Sequence, residues 1–262
     1  MPVCAPVDSP NVSDGAEDGH GNPVVWVCLP TYNECENLRL MVAGLLAVFD
    51  GSGIDGHVLV IDDDSPDGTG RIADEAAAGD ARIAVLHRTK REGLGPAYCD
   101  GFRDVLSRGA DLIVEMDCDF SHDPAALPSL IRAASNADLV LGSRYVTGGH
   151  IENWGIVRRA ISRGGSAYAR LVLRVQPHDL TGGFKCFRRQ VLEAIPLDEV
   201  AAAGYVFQVE MTYRAILLGF TVCEVPITFR DRVDGTSKMS KGIILEAARY
   251  VPRLRRQLGR RR

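Results

Sequence analysis

From Val24 onward, short apolar runs alternate with longer segments of helical spacing. The runs are Val24–Leu29, Val58–Ile61, Ile83–Leu86, Leu112–Met116 and Leu139–Leu141. They are continuous rather than alternating and too short for helices, which predicts strands buried on both faces. Between them, Leu38, Met41, Val42, Leu45 and Leu46 share one helical stripe, and Gly70–Ala78, Pro96–Leu106 and Pro124–Ala134 are further helix candidates. Strands separated by helices make β-α-β units, so the fold class is α/β with a mostly parallel central sheet flanked by helices. Beyond residue 143 the pattern loosens. A glycine-rich loop (Thr147–Gly155) leads into a helix over Ile156–Val175, then a turn at Gly182-Gly183, a helix over Val206–Leu218 and a strand over Val222–Phe229. No linker separates this half, which is expected to elaborate the same sheet.

Composition narrows the picture a little. With 262 residues, 46% hydrophobic and 24% charged, the chain suits one large domain that builds its core without disulfides or a structural metal. A net charge of -4 argues against nucleic acid as partner. The ends are uneven. Residues 1–22 hold Asp8, Asp14, Glu17 and Asp18 and no Lys or Arg, and are expected to be a disordered acidic tail. Residues 23–241 form the expected folded domain. Residues 242–262 read as a basic amphipathic segment: Ile244, Ala247, Val251, Leu254 and Leu258 recur at helical spacing, with seven arginines from Arg249 onward and Pro252 as a kink. The seven cysteines are dispersed without a C-x-x-C pair, which suits a reducing cytoplasm. No apolar run reaches the roughly 18 residues that span a bilayer.

The candidate chemistry sits where the strands end, since ligands of open α/β sheets bind at the carboxyl ends of the strands. The first predicted strand runs into Pro30-Thr31-Tyr32-Asn33-Glu34, the second into Asp62-Asp63-Asp64-Ser65-Pro66-Asp67-Gly68-Thr69, and the fourth into Asp117-Cys118-Asp119. Asp117 and Asp119, two apart after a strand, bring two carboxylates to one spot, where their repulsion is relieved by a hard cation such as Mg²⁺ or Mn²⁺. Asp63 is the favoured nucleotide contact of its triplet; Asp62 and Asp64 read as turn formers. The dinucleotide fingerprint G-x-G-x-x-G is absent.

These strand-end segments, with Glu115-Met116-Asp117-Cys118-Asp119-Phe120-Ser121-His122 and Gly142-Ser143-Arg144-Tyr145 in order after them, resemble the successive motifs of the family 2 glycosyltransferases. Phe229-Arg230-Asp231-Arg232 and Gly235-Thr236-Ser237-Lys238-Met239-Ser240 are similar to the closing motifs of the dolichol-phosphate (polyprenol-phosphate) mannose synthases within it. The resemblance covers about Val24 to Ser240. It implies a GT-A type nucleotide-sugar-binding fold and an inverting transfer of mannose from GDP-mannose to a polyprenyl phosphate. Pro30, Tyr32, Glu34, Ile61 and Asp63 are then expected at the nucleotide, together with Cys118 of the acidic loop. Asp117 and Asp119 would hold the metal, Asp119 as a catalytic residue. Ser121 stands where the family often has Gln and is the third expected ligand. Arg144, also expected to be catalytic, and Arg158 and Arg159 would take the acceptor phosphate. Arg232 and Lys238 would take the donor diphosphate.

A phosphate acceptor accounts for an absence. A sugar hydroxyl needs a general base, whereas a phosphate monoester is already an anion near pH 7. No histidine is placed as a base: His122 reads as a cap for the helix at Pro124 and His178 precedes a turn, while Glu210 and Asp179 read as structural. The alternatives are a UDP-glucose:polyprenyl-phosphate glucosyltransferase, a soluble family 2 enzyme acting on a sugar hydroxyl, and a non-catalytic nucleotide-binding module. With a lipid acceptor, the expected location is the cytoplasmic face of a membrane, reached through the basic C-terminal segment or a membrane protein partner.

Overall fold

The computed structural model describes residues 22–202, 204, 206–231 and 241–259, with side chains of the last segment described from residue 248. The acidic tail up to residue 21, Arg232, Lys238, the closing motif Gly235–Ser240 and, for their side chains, Ile244 and Ala247 lie outside the described residues. The elements run β1 (Val25–Thr31), α1 (Leu38–Ser52), β2 (Gly56–Asp62), α2 (Thr69–Gly79), β3 (Ile83–His87), α3 (Leu94–Ser107) and β4 (Leu112–Glu115). A short 3-10 turn (Pro124–Ala126) leads to α4 (Leu127–Ala133), followed by β5 (Leu139–Ser143), β6 (His150–Ile151), α5 (Ile156–Leu173), β7 (Lys185–Arg188) and α6 (Arg189–Ala194). The chain continues through α7 (Val206–Leu217), β8 (Val222–Pro226), β9 (Thr228–Phe229) and α8 (Lys241–Leu258).

Seven strands form one sheet in the order β3-β2-β1-β4-β7-β5-β8. All run parallel except β7, which pairs antiparallel with β4 on one side and β5 on the other. The expected α/β class with a mostly parallel sheet is the observed one. The apolar runs map onto β1 to β5; β1, β2, β4 and β5 are enclosed between two hydrophobic clusters, one per face, while edge strand β3 is buried fully only at Ile83. In α1 the predicted stripe is the buried one: Leu38, Met41, Val42 and Leu45, joined by Phe49, are enclosed. β7 is the strand that the sequence pattern does not announce. It has four residues and begins with a lysine that is fully buried.

The C-terminal segment departs from expectation. α8 packs against α5 and α7, and Val251 and Leu254 are buried in the same cluster as the sheet residues. Tyr250 donates to Glu210 Oε2 (2.6 Å), and Arg255 donates to the carbonyl of Val172 (2.6 Å). The described apolar positions Val251 and Leu254 therefore face the enzyme's own core, since a core needs the same helical stripe as an interface. Arg249, Arg253 and Arg256 remain exposed. Pro252 lies inside the helix. Six of the cysteines are described, and all but Cys35 are buried.

Candidate active site

The order β2-β1-β4 puts three carboxyl strand ends side by side, with Pro30 paired to Ile61, Thr31 to Asp62 and Cys28 to Glu115. The first two loops are pinned to each other. The Asn33 N–H donates to Ser65 Oγ (3.1 Å), that of Glu34 to Thr69 Oγ1 (2.9 Å) and that of Cys35 to Asp67 Oδ2 (3.2 Å). Burial works to raise the Asp67 carboxyl, yet the hydrogen bonds from Thr69 and Cys35 together carry it down to about 2. Asn33 and Asp64 both adopt positive φ, 59° and 57°, at the turns that make this possible.

Pro30, Tyr32 and Glu34 line the open edge, each partly exposed. Asp63 is buried and paired with Arg88, whose guanidinium also holds Asp100 (2.9 Å) and Glu92 (3.1 Å). Burial pushes the Asp63 carboxyl up despite this partner. Arg91 lies over the Tyr32 ring at 3.9 Å from its centroid. Arg88 and Arg91 thus bracket the two expected nucleotide contacts from the loop after β3. Nothing in their local sequence signals this, because the partners are 25 or more positions away.

Two expected nucleotide contacts turn inward. The Ile61 side chain is fully enclosed and packed where Gly101 leaves room for it; a Cβ on Gly101 would come within 2.3 Å of Ile61 Cδ1. Its carbonyl accepts from Thr31 Oγ1 (3.2 Å). The Cys118 thiol belongs to the apolar cluster, and burial, reinforced by Glu34, Asp119 and Asp117, drives its pKa far up. Neither side chain is available to a nucleotide. Ile61 lies in β2, where alternate residues face opposite sides of the sheet, and Cys118 lies in the turn beyond β4.

β4 ends at Glu115, so Asp117 and Asp119 lie in the tight turn beyond it, with Phe120 at φ 57°. The Ser121 N–H donates to Asp119 Oδ1 (3.0 Å), and the Asp117 N–H donates to His122 Nδ1 (3.3 Å). His122 is therefore no helix cap; Asp123 fills that role, accepting from the Ala125 N–H at 2.9 Å. Ser121 Oγ is buried without a hydrogen-bond partner among the described residues. A hydroxyl left bare beside two carboxylates fits a hard cation. Among the described residues no three His, Cys, Asp or Glu converge into a group that could hold a metal ion.

Beneath this turn, Glu115 and Lys185 are cross-strand partners on β4 and β7, both fully buried. Burial pushes Glu115 up to about 7, against the pull of Lys185 and the Gln208 amide, and pushes Lys185 down to about 8, against Glu115 and Asp179. Lys185 Nζ donates to the Gln208 carbonyl (2.6 Å).

The arginine side of the site begins at the end of β5. Arg144 is buried and held by Asp179, with Nε and Nη2 donating to its two oxygens at 2.7 Å each and Nη2 reaching Thr181 Oγ1 at 3.0 Å. Burial opposes the charge on Asp179, but Arg144 outweighs it and holds the carboxyl below its usual range. Around the Arg144 guanidinium stand Tyr145, Trp154 and Phe229, at 5.2, 5.6 and 5.3 Å. Arg158 stacks on Trp154 (4.2 Å) and donates to both oxygens of Asp231 at 2.6 Å. Arg159 donates to the Ile151 carbonyl (3.0 Å). A small parallel pair, β6 with β9, supports this corner. His122 joins it to the acidic turn: its ring stacks on Phe184 (5.2 Å) and meets the edge of Phe229 (5.3 Å), and its backbone bridges to Phe229. His122 thus links the acidic turn, through Phe229, to the corner that holds Arg144, Arg158 and Arg159. Trp154, and the pairing of Asp179 with Arg144, are not signalled by the sequence. Asp179 reads as structural in sequence because its partner lies 35 residues earlier.

Residues 26–195 match the model of glycosyl transferase family 2. The chain belongs to this family. Among its relatives, an undecaprenyl-phosphate mannosyltransferase of Micrococcus luteus is 49% identical over 229 residues, 87% of this chain and 93% of that protein. A polyprenol monophosphomannose synthase of Mycolicibacterium smegmatis is 49% identical over 223 residues, 84% of this chain and 83% of the relative. Among solved structures, glucosyl-3-phosphoglycerate synthase from Mycobacterium tuberculosis, in complex with Mn²⁺, UDP and glucosyl-3-phosphoglycerate, aligns with a TM-score of 0.63. It is 20% identical, and the alignment covers 90% of this chain and 80% of that one. The sheet described above is thus that of the GT-A fold.

Proposed function

We propose that this family 2 enzyme transfers mannose from GDP-mannose to a polyprenyl phosphate, with inversion and with the help of Mg²⁺ or Mn²⁺. The carrying observation is the 49% identity, over most of both chains, to relatives whose names specify mannose and a polyprenyl acceptor. Asp117 and Asp119 would bind the cation, with Ser121 Oγ as a third oxygen. A divalent cation bound there supplies charge neutralisation for the departing diphosphate. Tyr32, Glu34 and Asp63 would hold the nucleotide, joined by Arg88 and Arg91. Arg232 and Lys238 would grip the diphosphate.

Arg144, Arg158 and Arg159 would position the acceptor phosphate, whose oxygen attacks without a general base. Asp179 keeps the Arg144 guanidinium in one orientation before substrate arrives, so the acceptor meets a preorganised donor set. We place the enzyme at the cytoplasmic face of a membrane. No helix of the described residues is long and apolar enough to cross one.

The test is incubation with radiolabelled GDP-mannose, Mg²⁺ or Mn²⁺ and a polyprenyl phosphate, with UDP-glucose in parallel. Label should pass into the organic phase from GDP-mannose and stop in excess EDTA. Transfer from UDP-glucose alone, or onto a water-soluble sugar hydroxyl, would overturn the proposal.

A further inference from the structure

α5 is amphipathic the wrong way round for a soluble surface. Its buried positions are Ser162, Ser166, Ala169 and Leu173, two of them hydroxyls. Its large apolar side chains point outward instead: Ile156 is 87% exposed, Val157 73% and Leu171 78%, with Ile161 and Tyr168 at 37% and 36%. At the helical repeat these five fall on the side opposite the buried four. Ala160, Gly164 and Ala167 fill the positions between them, so no charged residue interrupts the strip. A soluble helix normally turns such a stripe to the core, and a contiguous exposed apolar patch marks an interaction surface.

We propose that the outward face of α5 is the surface by which the enzyme lies on an anionic lipid bilayer. The proposal rests on the lipid acceptor argued above. Charge selects the occupant. Arg159, Arg163 and Arg170 border the strip along one edge, and from Ile156 to Leu173 there is no Asp or Glu. The neighbouring helix α8, joined to α5 where Tyr168 donates to the Ala248 carbonyl (2.8 Å), exposes Arg249, Arg253 and Arg256. An apolar face edged by arginine is the pattern of helices that lie in the headgroup region. A second copy of the chain is a poorer occupant, because pairing the strip with itself would bring arginine edges together with no carboxylate on the helix to answer them. Position agrees as well. α5 starts directly after Trp154 and carries Arg158 and Arg159, so a bilayer under α5 brings these arginines to headgroup depth. A polyprenyl phosphate keeps its phosphate at that depth while its chain stays in the hydrocarbon. The C-terminal helix then contributes charge, its described apolar residues Val251 and Leu254 being in the core.

The experiment uses the full chain and vesicles without polyprenyl phosphate, made of phosphatidylcholine alone or mixed with phosphatidylglycerol. Wild type should sediment with the mixed vesicles at low salt. The V157E/L171E variant should lose at least about tenfold of that binding, since two charges replace surface that would be buried in lipid. Arg163→Glu should weaken binding to the anionic vesicles selectively, and high salt should imitate it. All variants should keep the wild-type melting temperature and wild-type transfer to a short, water-soluble prenyl phosphate. The proposal is overturned if V157E/L171E sediments like wild type. It is equally overturned if wild type is a dimer in solution that V157E/L171E splits. Should no variant, wild type included, mannosylate the soluble acceptor, the proposed reaction fails while the vesicle result stands on its own.

Discussion

Arg144 is engaged before any substrate arrives, and the residue that engages it decides how it works. A bidentate pair with a buried carboxylate fixes both the position and the plane of the guanidinium. Asp179→Asn keeps the shape and removes the charge. The KM for polyprenyl phosphate should rise about tenfold or more while GDP-mannose binding, read by calorimetry, stays near wild type. Equal loss on both sides would make Asp179 a stability residue only. The same pair has a pH signature. Because the folded carboxyl is held low, its contribution is present above the unfolded value of about 3.9 and lost as pH falls through the folded one. Asp179→Asn should therefore flatten the acid limb of a denaturation curve measured against pH. Asp119→Asn acts on the other half of the site: turnover should fall by about a hundredfold, the scale of losing one strong electrostatic stabiliser, with the circular dichroism spectrum unchanged. Near-normal turnover would move the cation elsewhere.

β7 is the element that sequence patterning hides and that the site depends on. The parallel strands are legible because burial on both faces makes them continuous apolar runs. Lys185–Arg188 has a charge at each end and four residues in all, so nothing local separates it from a loop. Its lysine faces Glu115, which sits 70 positions earlier and two residues before the first carboxylate of the acidic turn, and donates to the Gln208 carbonyl. Lys185→Met should destabilise the fold by about 1–3 kcal/mol, the cost of leaving the buried Gln208 carbonyl without its donor and Glu115 without the positive charge that faces it. The double variant Glu115→Gln/Lys185→Met should recover most of that in a urea titration; no recovery would mean that the lysine acts through Gln208 alone. The acidic strand ends were readable by the same rule that made the sheet readable, since β2, β1 and β4 end at one edge. The pairings of Asp63 with Arg88 and of Arg144 with Asp179 were not, because they join side chains whose positions only the folded sheet relates. The stripe of α8 was legible as a stripe, but periodicity does not say whether a core or a membrane receives it.

At the scale of the molecule, one surface stands out: α5 carries Arg158, Arg159, Arg163 and Arg170 and no acid, and α8 beside it exposes Arg249, Arg253 and Arg256. This charge makes a kinetic forecast. Raising salt should depress transfer to polyprenyl phosphate held in anionic vesicles much more than transfer to a short soluble acceptor, because screening weakens attraction between exposed charges. Parallel losses on both acceptors would place the salt effect inside the catalytic site. The sheet order also bears on how the chain is born. β4 and β5 follow each other closely in sequence yet never pair; β7 comes between them. Until Arg188 has left the ribosome, β1 to β4 form a half-sheet with a bare edge, and β5 has no partner on either side. Unpaired edges of this kind invite pairing with other nascent chains. Synthesis that pauses before β7 therefore leaves its product at its most aggregation-prone; those four residues join the two halves, and β8 later covers the edge of β5 that remains.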